Sequence, residues 1–107
     1  MEVVVLYLEG CPSKELAESR VRLAVENVGA AVQIRSQRVE SVAEANLLGF
    51  GGSPTVLLDA VDVFGGHSRV DGLTCRLYRT EHGLEGAPSL DDLIRAISQI
   101  EEVYNRG

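Results

Sequence analysis

The sequence predicts an α/β domain in the order βαβ, α, ββ, α, built on a four-stranded mixed sheet. Three observations carry this prediction. A continuous aliphatic run, Val3 to Leu8, has the length and β-branched content of a central strand covered on both faces. From Leu16 the apolar period turns helical, with Ala17, Val21, Ala24, Val25 and Val28 interleaved with Glu18, Arg22 and Glu26. Strand-like and helical segments then continue to alternate down to an amphipathic C-terminal stretch beginning at Pro88.

Taken in order, Gly10 breaks the first strand. Pro12 lacks an N–H and has φ near the helical value, so it suits the first helical turn and puts Cys11 at or next to the N-cap. Gly29 suits a left-handed C′ position, after which Val32 and Ile34 alternate with Gln33 and Arg35 as a strand does, completing a parallel βαβ unit. Ser41 with Glu44 three residues on is a capping box, and Val42, Ala45 and Leu48 ahead of Gly49 make a short helix. Gly51-Gly52-Ser53-Pro54-Thr55 leads into Val56-Leu57-Leu58, which a turn at Asp59-Ala60 joins to Val61-Asp62-Val63-Phe64 as a β-hairpin. Residues 65–88 form an inserted segment with Gly65, Gly66, Gly72, Gly83 and Gly86, both histidines, and one strand-like stretch, Leu73 to Tyr78. Long ordered segments of this kind in small domains tend to carry function. Pro88-Ser89-Leu90-Asp91-Asp92 starts the last helix, with Leu90, Leu93, Ile94, Ile97, Ile100 and Tyr104 on one face.

At 107 residues the chain suits one domain, 1–107, with a core that needs no disulfide or structural metal. Acids outnumber bases 16 to 10, a net charge of -6, which argues against nucleic-acid binding carried by Lys and Arg. Met1-Glu2 has no positive n-region and the apolar run ends at Glu9, too short for a signal or a membrane span. The expectation is a cytoplasmic protein without membrane association. Two cysteines, with neither Cys-x-x-Cys nor His-x-x-x-His spacing, make neither a disulfide framework nor a zinc site, which leaves reactivity or burial as their role.

Cys11 is the leading candidate for chemistry. A thiol at a helix start faces unsatisfied backbone N–H groups and the positive end of the dipole, and both favour thiolate over thiol. Lys14 adds to that effect, while Glu9 and Glu15 oppose it. Cys75 sits in the alternation Leu73, Cys75, Leu77, which suits a buried structural thiol and a second reactive thiol equally. The topology brings the inserted segment to the Cys11 end of the sheet, and at roughly 3.3 Å per extended residue the chain beyond Phe64 can reach it. Arg69, Arg76 and Arg79 with His67, against Asp71 alone, form a locally basic stretch suited to an anionic ligand or a thiolate. His67 and His82 have no partner at ligand spacing, so no metal is assigned, and Gly51-Gly52 lacks the rest of a phosphate loop.

The element order, with Cys11 at the end of the first strand and Ser53-Pro54-Thr55 ahead of the third, resembles the thioredoxin fold over nearly the whole chain. The resemblance implies a cis Pro54 lying against the reactive sulfur, with Ser53 and Thr55 beside it. It departs in one respect: the family's Cys-x-x-Cys is here Cys11-Pro12-Ser13-Lys14, so no disulfide can form within the motif. A closer resemblance is to small bacterial thioredoxin-like proteins, some labelled alkylmercury lyase-like. It rests on Glu9-Gly10-Cys11-Pro12, Gly52-Ser53-Pro54-Thr55 and Cys75-Arg76-Leu77-Tyr78; no acid for carbon–mercury cleavage is matched by a motif. The candidate catalytic set is therefore Cys11, Cys75 and Pro54, with Ser53, Thr55 and Arg76 as substrate-binding positions. The expected function is thiol–disulfide or thiol-capture chemistry, with Cys11 as nucleophile and Cys75 as resolving thiol. One alternative is capture of a soft metal or organomercurial by Cys11 and Cys75. Another is a non-catalytic binding module on the same fold. No cofactor is expected, and the partner is a thiol, a disulfide or a soft-metal species.

Overall fold

The aliphatic run at the N-terminus forms β1, Glu2–Tyr7, the middle strand of a three-stranded mixed sheet. The computed structural model describes residues 1–64 and 73–106. The sequence-predicted features at Gly65, Gly66, His67, Arg69, Asp71 and Gly72 lie outside the described residues. β2, Gln33–Arg38, runs parallel to β1 from Glu2 opposite Gln33 to Tyr7 opposite Arg38. β3, Thr55–Leu58, runs antiparallel to β1 on its other side, from Leu58 opposite Val3 to Thr55 opposite Leu6. Three helices connect or follow these strands: α1, Lys14–Val28; α2, Val42–Leu48; and α3, Leu90–Arg106.

Each face of the sheet has its own core. Val3 and Val5 join Val56 and Leu58 beneath Ala17, Val21 and Ala24 of α1 and Leu93 and Ile97 of α3. Val4 and Leu6 point the other way and pack with Leu57, Val39 and Ala45, with Leu48 and Phe50 at the margin. Two covered faces explain why β1 reads as an unbroken aliphatic run rather than an alternating one. Local signals set the helix ends. Gly29 adopts φ 73 and returns its N–H to the Val25 carbonyl at 2.9 Å, Ser41 Oγ accepts from Glu44 N at 3.1 Å, and Ser89 Oγ accepts from Asp92 N at 3.0 Å.

Among the described residues the sheet has three strands, where the sequence predicts four. The Asp59-Ala60 turn closes, with Leu58 and Val61 exchanging both backbone bonds, but pairing stops there. Asp62 accepts from Phe64 N at 3.0 Å through its side chain and binds Arg76, which turns Asp62 to Phe64 out of strand geometry. Beyond the turn, Leu73 to Leu77 contributes only a parallel bridge between Cys75 and Ser53. A separate hairpin follows, of β4, Tyr78–Thr80, and β5, Gly83–Glu85, joined through Glu81 and His82. Tyr104 also departs from expectation: it lies exposed at the end of α3, with its hydroxyl donating to Asp59 Oδ2 at 2.6 Å.

Two predictions attach to this end of the molecule. Ala60 holds φ 69 in the left-handed region and is exposed, a conformation that costs an L-residue about 1–2 kcal/mol. Ala60→Gly is expected to raise unfolding free energy by about 1 kcal/mol, read by urea denaturation, because relief of strain outweighs glycine's larger unfolded-state entropy. Asp59 accepts from Tyr104 and from Glu2 N at 2.8 Å, and these bonds, the first above all, hold its carboxyl below the usual range. A depressed folded-state value adds stability above the unfolded value, and this is lost as pH falls through the folded one. Tyr104→Phe is therefore expected to shrink the stability lost between about pH 5 and pH 2, measured by denaturant titration across that range.

Candidate functional site

The chain leaves β1 through two consecutive turns. Cys11 N donates to the Leu8 carbonyl at 3.1 Å across a turn whose third position is Gly10, at φ 78, where a type II turn needs glycine. Lys14 N then reaches the Cys11 carbonyl at 3.4 Å across Pro12 and Ser13, with Pro12 in the second position that its fixed φ favours. Ser13 is the N-cap residue of α1, so Pro12 stands outside the helix and Cys11 two residues before the cap. This corrects the expected place of Cys11 at or beside the cap, since the second turn takes up the residues that were to begin the helix. Cys11 is half-buried. Lys14 is directed elsewhere, 3.5 Å from Glu18 and 4.6 Å from the centroid of the Tyr7 ring.

On the neighbouring strand the Ser53–Pro54 peptide bond is cis, in the geometry that the resemblance implies for this position. Ser53, Pro54 and Thr55 are buried, and their polar atoms serve the backbone. Ser53 Oγ accepts from Leu8 N at 2.9 Å, while Thr55 Oγ1 donates to the Gly52 carbonyl at 2.6 Å and accepts from Gly51 N at 2.9 Å. The Leu8 peptide groups thus tie the Cys11 turn to the residue preceding Pro54. Ser53 and Thr55 shape this corner through the backbone, and their hydroxyls are committed within it.

On the far side of Ser53, the stretch Thr74 to Tyr78 is bound as a strap. Ser53 N donates to the Thr74 carbonyl at 2.8 Å and Arg76 N to the Ser53 carbonyl at 3.0 Å. Gly52, at φ 112, lets the strap approach, because a Cβ there would stand 2.7 Å from Arg76 Cβ. The Arg76 guanidinium is 2.5 Å and 3.3 Å from the two Asp62 oxygens, donates to the Phe64 carbonyl at 2.9 Å and lies 4.3 Å from the centroid of the Tyr78 ring. Three of its N–H groups are taken up by these bonds and the side chain is buried, so Arg76 fixes the strap where the sequence suggested a substrate contact. Tyr78 hydroxyl donates to the Pro54 carbonyl at 2.5 Å, and burial pushes its phenol well above the usual range. Asp62 escapes the sequence reading as a site-shaping residue, and Tyr78 enters it only as the last residue of the Cys75-Arg76-Leu77-Tyr78 motif; the aspartate inside Val61-Asp62-Val63-Phe64 is the available signal for the first.

The two cysteines share one end of the sheet but are not close. Leu8 lies on one side of Ser53 and the strap carrying Cys75 on the other. Cys75 is an exposed free thiol, which sets aside the buried structural reading. One ion shared by both sulfurs would need them together, and no cluster of three or more metal-ligating side chains occurs among the described residues. No helix of the described residues is long and apolar enough to cross a membrane. No family model, curated protein or solved structure matches the chain.

Proposed function

We propose that the chain is a thioredoxin-like thiol protein that works through Cys11. The observation that carries this reading is the half-buried thiol in the turn after the central strand, linked through Leu8 to the Ser53 that precedes the cis Pro54. A sheet with α1 and α3 on one face and α2 on the other supports the thioredoxin-like assignment. In the proposed reaction the Cys11 thiolate attacks one sulfur of a disulfide. The Cys11–substrate disulfide forms, the second substrate sulfur departs as thiolate, and a thiol from solution attacks the mixed disulfide to release Cys11. The separation of Cys75 from Cys11 favours this external thiol over Cys75 as the resolving group.

Solvent exposure alone predicts the opposite order of reactivity, because Cys75 is the more exposed thiol. With neutral hydroxyethyl disulfide at pH 7, mass spectrometry is expected to show Cys11 in the Cys75→Ser variant forming the mixed disulfide faster than Cys75 in the Cys11→Ser variant. A Cys11 rate equal to or below that of Cys75 would sink the proposal.

A further inference from the structure

A groove of about 670 Å³ opens between the strap, the β4–β5 hairpin and α3, and Cys11 is not among its lining residues. Its size lies within the roughly 300–1,000 Å³ of small-molecule sites. Its lining has two characters. Phe64, Leu77 and Leu84 supply apolar surface, and Leu77 and Leu84 are 63% and 62% exposed. Arg79 and Arg95 supply charge. Arg95 is 3.4 Å from Asp92, whereas Arg79 has no ion pair among the described residues. The third lining arginine, Arg76, is neutralised by Asp62. The groove therefore keeps a positive excess in a chain of net charge -6, and Cys75 stands at its wall.

We propose that this groove binds a small amphiphilic carboxylate, its head group on Arg79 and its apolar body along Leu77, Leu84 and Phe64. Charge complementarity selects an anion, and the planar guanidinium fork suits a carboxylate. The single uncommitted guanidinium, with no lysine in the lining, suits one monoanionic head group better than a polyphosphate. The apolar wall then requires a ligand with a hydrocarbon portion, which a simple inorganic anion lacks. Binding is independent of Cys11 and of the proposed thiol reaction.

Decanoate is the probe, with 1-decanol as its neutral counterpart. In calorimetric titrations the intact chain is expected to bind one decanoate saturably and at least about fivefold more tightly than 1-decanol, the range of a charge-assisted contact. Arg79→Leu is expected to abolish that preference, and Leu84→Glu to weaken decanoate by a similar factor. Both positions are exposed, so circular dichroism should be unchanged. In the Cys11→Ser variant, decanoate is expected to slow alkylation of Cys75 by iodoacetamide, which locates the ligand in this groove. Absence of saturable binding, equal affinity for decanoate and 1-decanol, or binding that neither protects Cys75 nor responds to the two substitutions would overturn the proposal. None of these results bears on Cys11, whose rate is measured with a neutral disulfide.

Discussion

Replacing Arg76 by alanine is expected to lower unfolding free energy by about 3 kcal/mol, the lower end of the range for breaking a buried ion pair. The Arg76 side chain is 8% exposed and Asp62 17%, so neither charge has ready access to water once its partner is gone. The substitution also removes the donor to the Phe64 carbonyl and the cation over the Tyr78 ring, while the backbone bond from Arg76 N to Ser53 persists. Arg76→Lys should recover only part of the loss, because a point charge cannot make the two-oxygen contact. Adding Asp62→Ala to Arg76→Ala should restore about 1–2 kcal/mol by removing the stranded carboxylate, a coupling read from guanidinium denaturation of all four proteins in the cycle. A loss under about 1 kcal/mol would place the pair among solvent-screened surface contacts and take away its role in holding the strap.

The same pair explains where sequence reasoning succeeds and where it stops. Val3 to Leu8, Gly29, the Ser41 cap and the Asp59-Ala60 turn are legible because each is decided within a few residues of chain. The fate of Val61 to Phe64 is decided by a residue 14 positions away, and an apolar alternation broken by one aspartate carries no sign of which arginine will claim it. Leu73, Cys75 and Leu77 alternate as a strand face would, yet all three are exposed because the strap is held by backbone bonds to Ser53 and by Arg76, with no apolar face to bury. The β4–β5 hairpin has only three residues in each strand, too few for a period to register. At Cys11 the residue types are legible but the placement is not. Proline fits both the first turn of a helix and the second position of a β-turn, and Gly10 directs it to the latter. The corner joining Cys11 to Pro54 is what the resemblance implies, whereas the groove beside Cys75 depends on the strap, the hairpin and α3 meeting, which no local pattern announces.

Gly86→Ala is expected to be comparably destabilising, by about 3 kcal/mol, at the upper end of typical overpacking costs. A Cβ at residue 86 would stand 1.9 Å from Ser13 Oγ and 2.6 Å from Ser13 Cβ, so rotating the serine hydroxyl away cannot relieve the overlap. Retreat of the segment is opposed from both sides. Arg20 holds it to α1 through the Glu85 carboxylate at 3.1 Å and the Ala87 and Pro88 carbonyls at 3.3 Å and 3.2 Å, and Ala87 is fully buried in the core beneath α1 and α3. Ser13 makes no side-chain capping bond, so Ser13→Gly alone should cost only a few tenths of a kcal/mol, as glycine is tolerated at an N-cap. Combining it with Gly86→Ala removes the opposing Cβ and should recover about 2 kcal/mol, a coupling of the size seen between residues in direct contact. Because Ser13 lies two residues beyond Cys11, Gly86→Ala should also change the rate at which Cys11 reacts with hydroxyethyl disulfide, and the double substitution should return that rate toward the original. If Gly86→Ala unfolds as easily with Ser13→Gly as without it, the contact with Ser13 is not what fixes the segment, and the link from the hairpin to the Cys11 turn is lost with it.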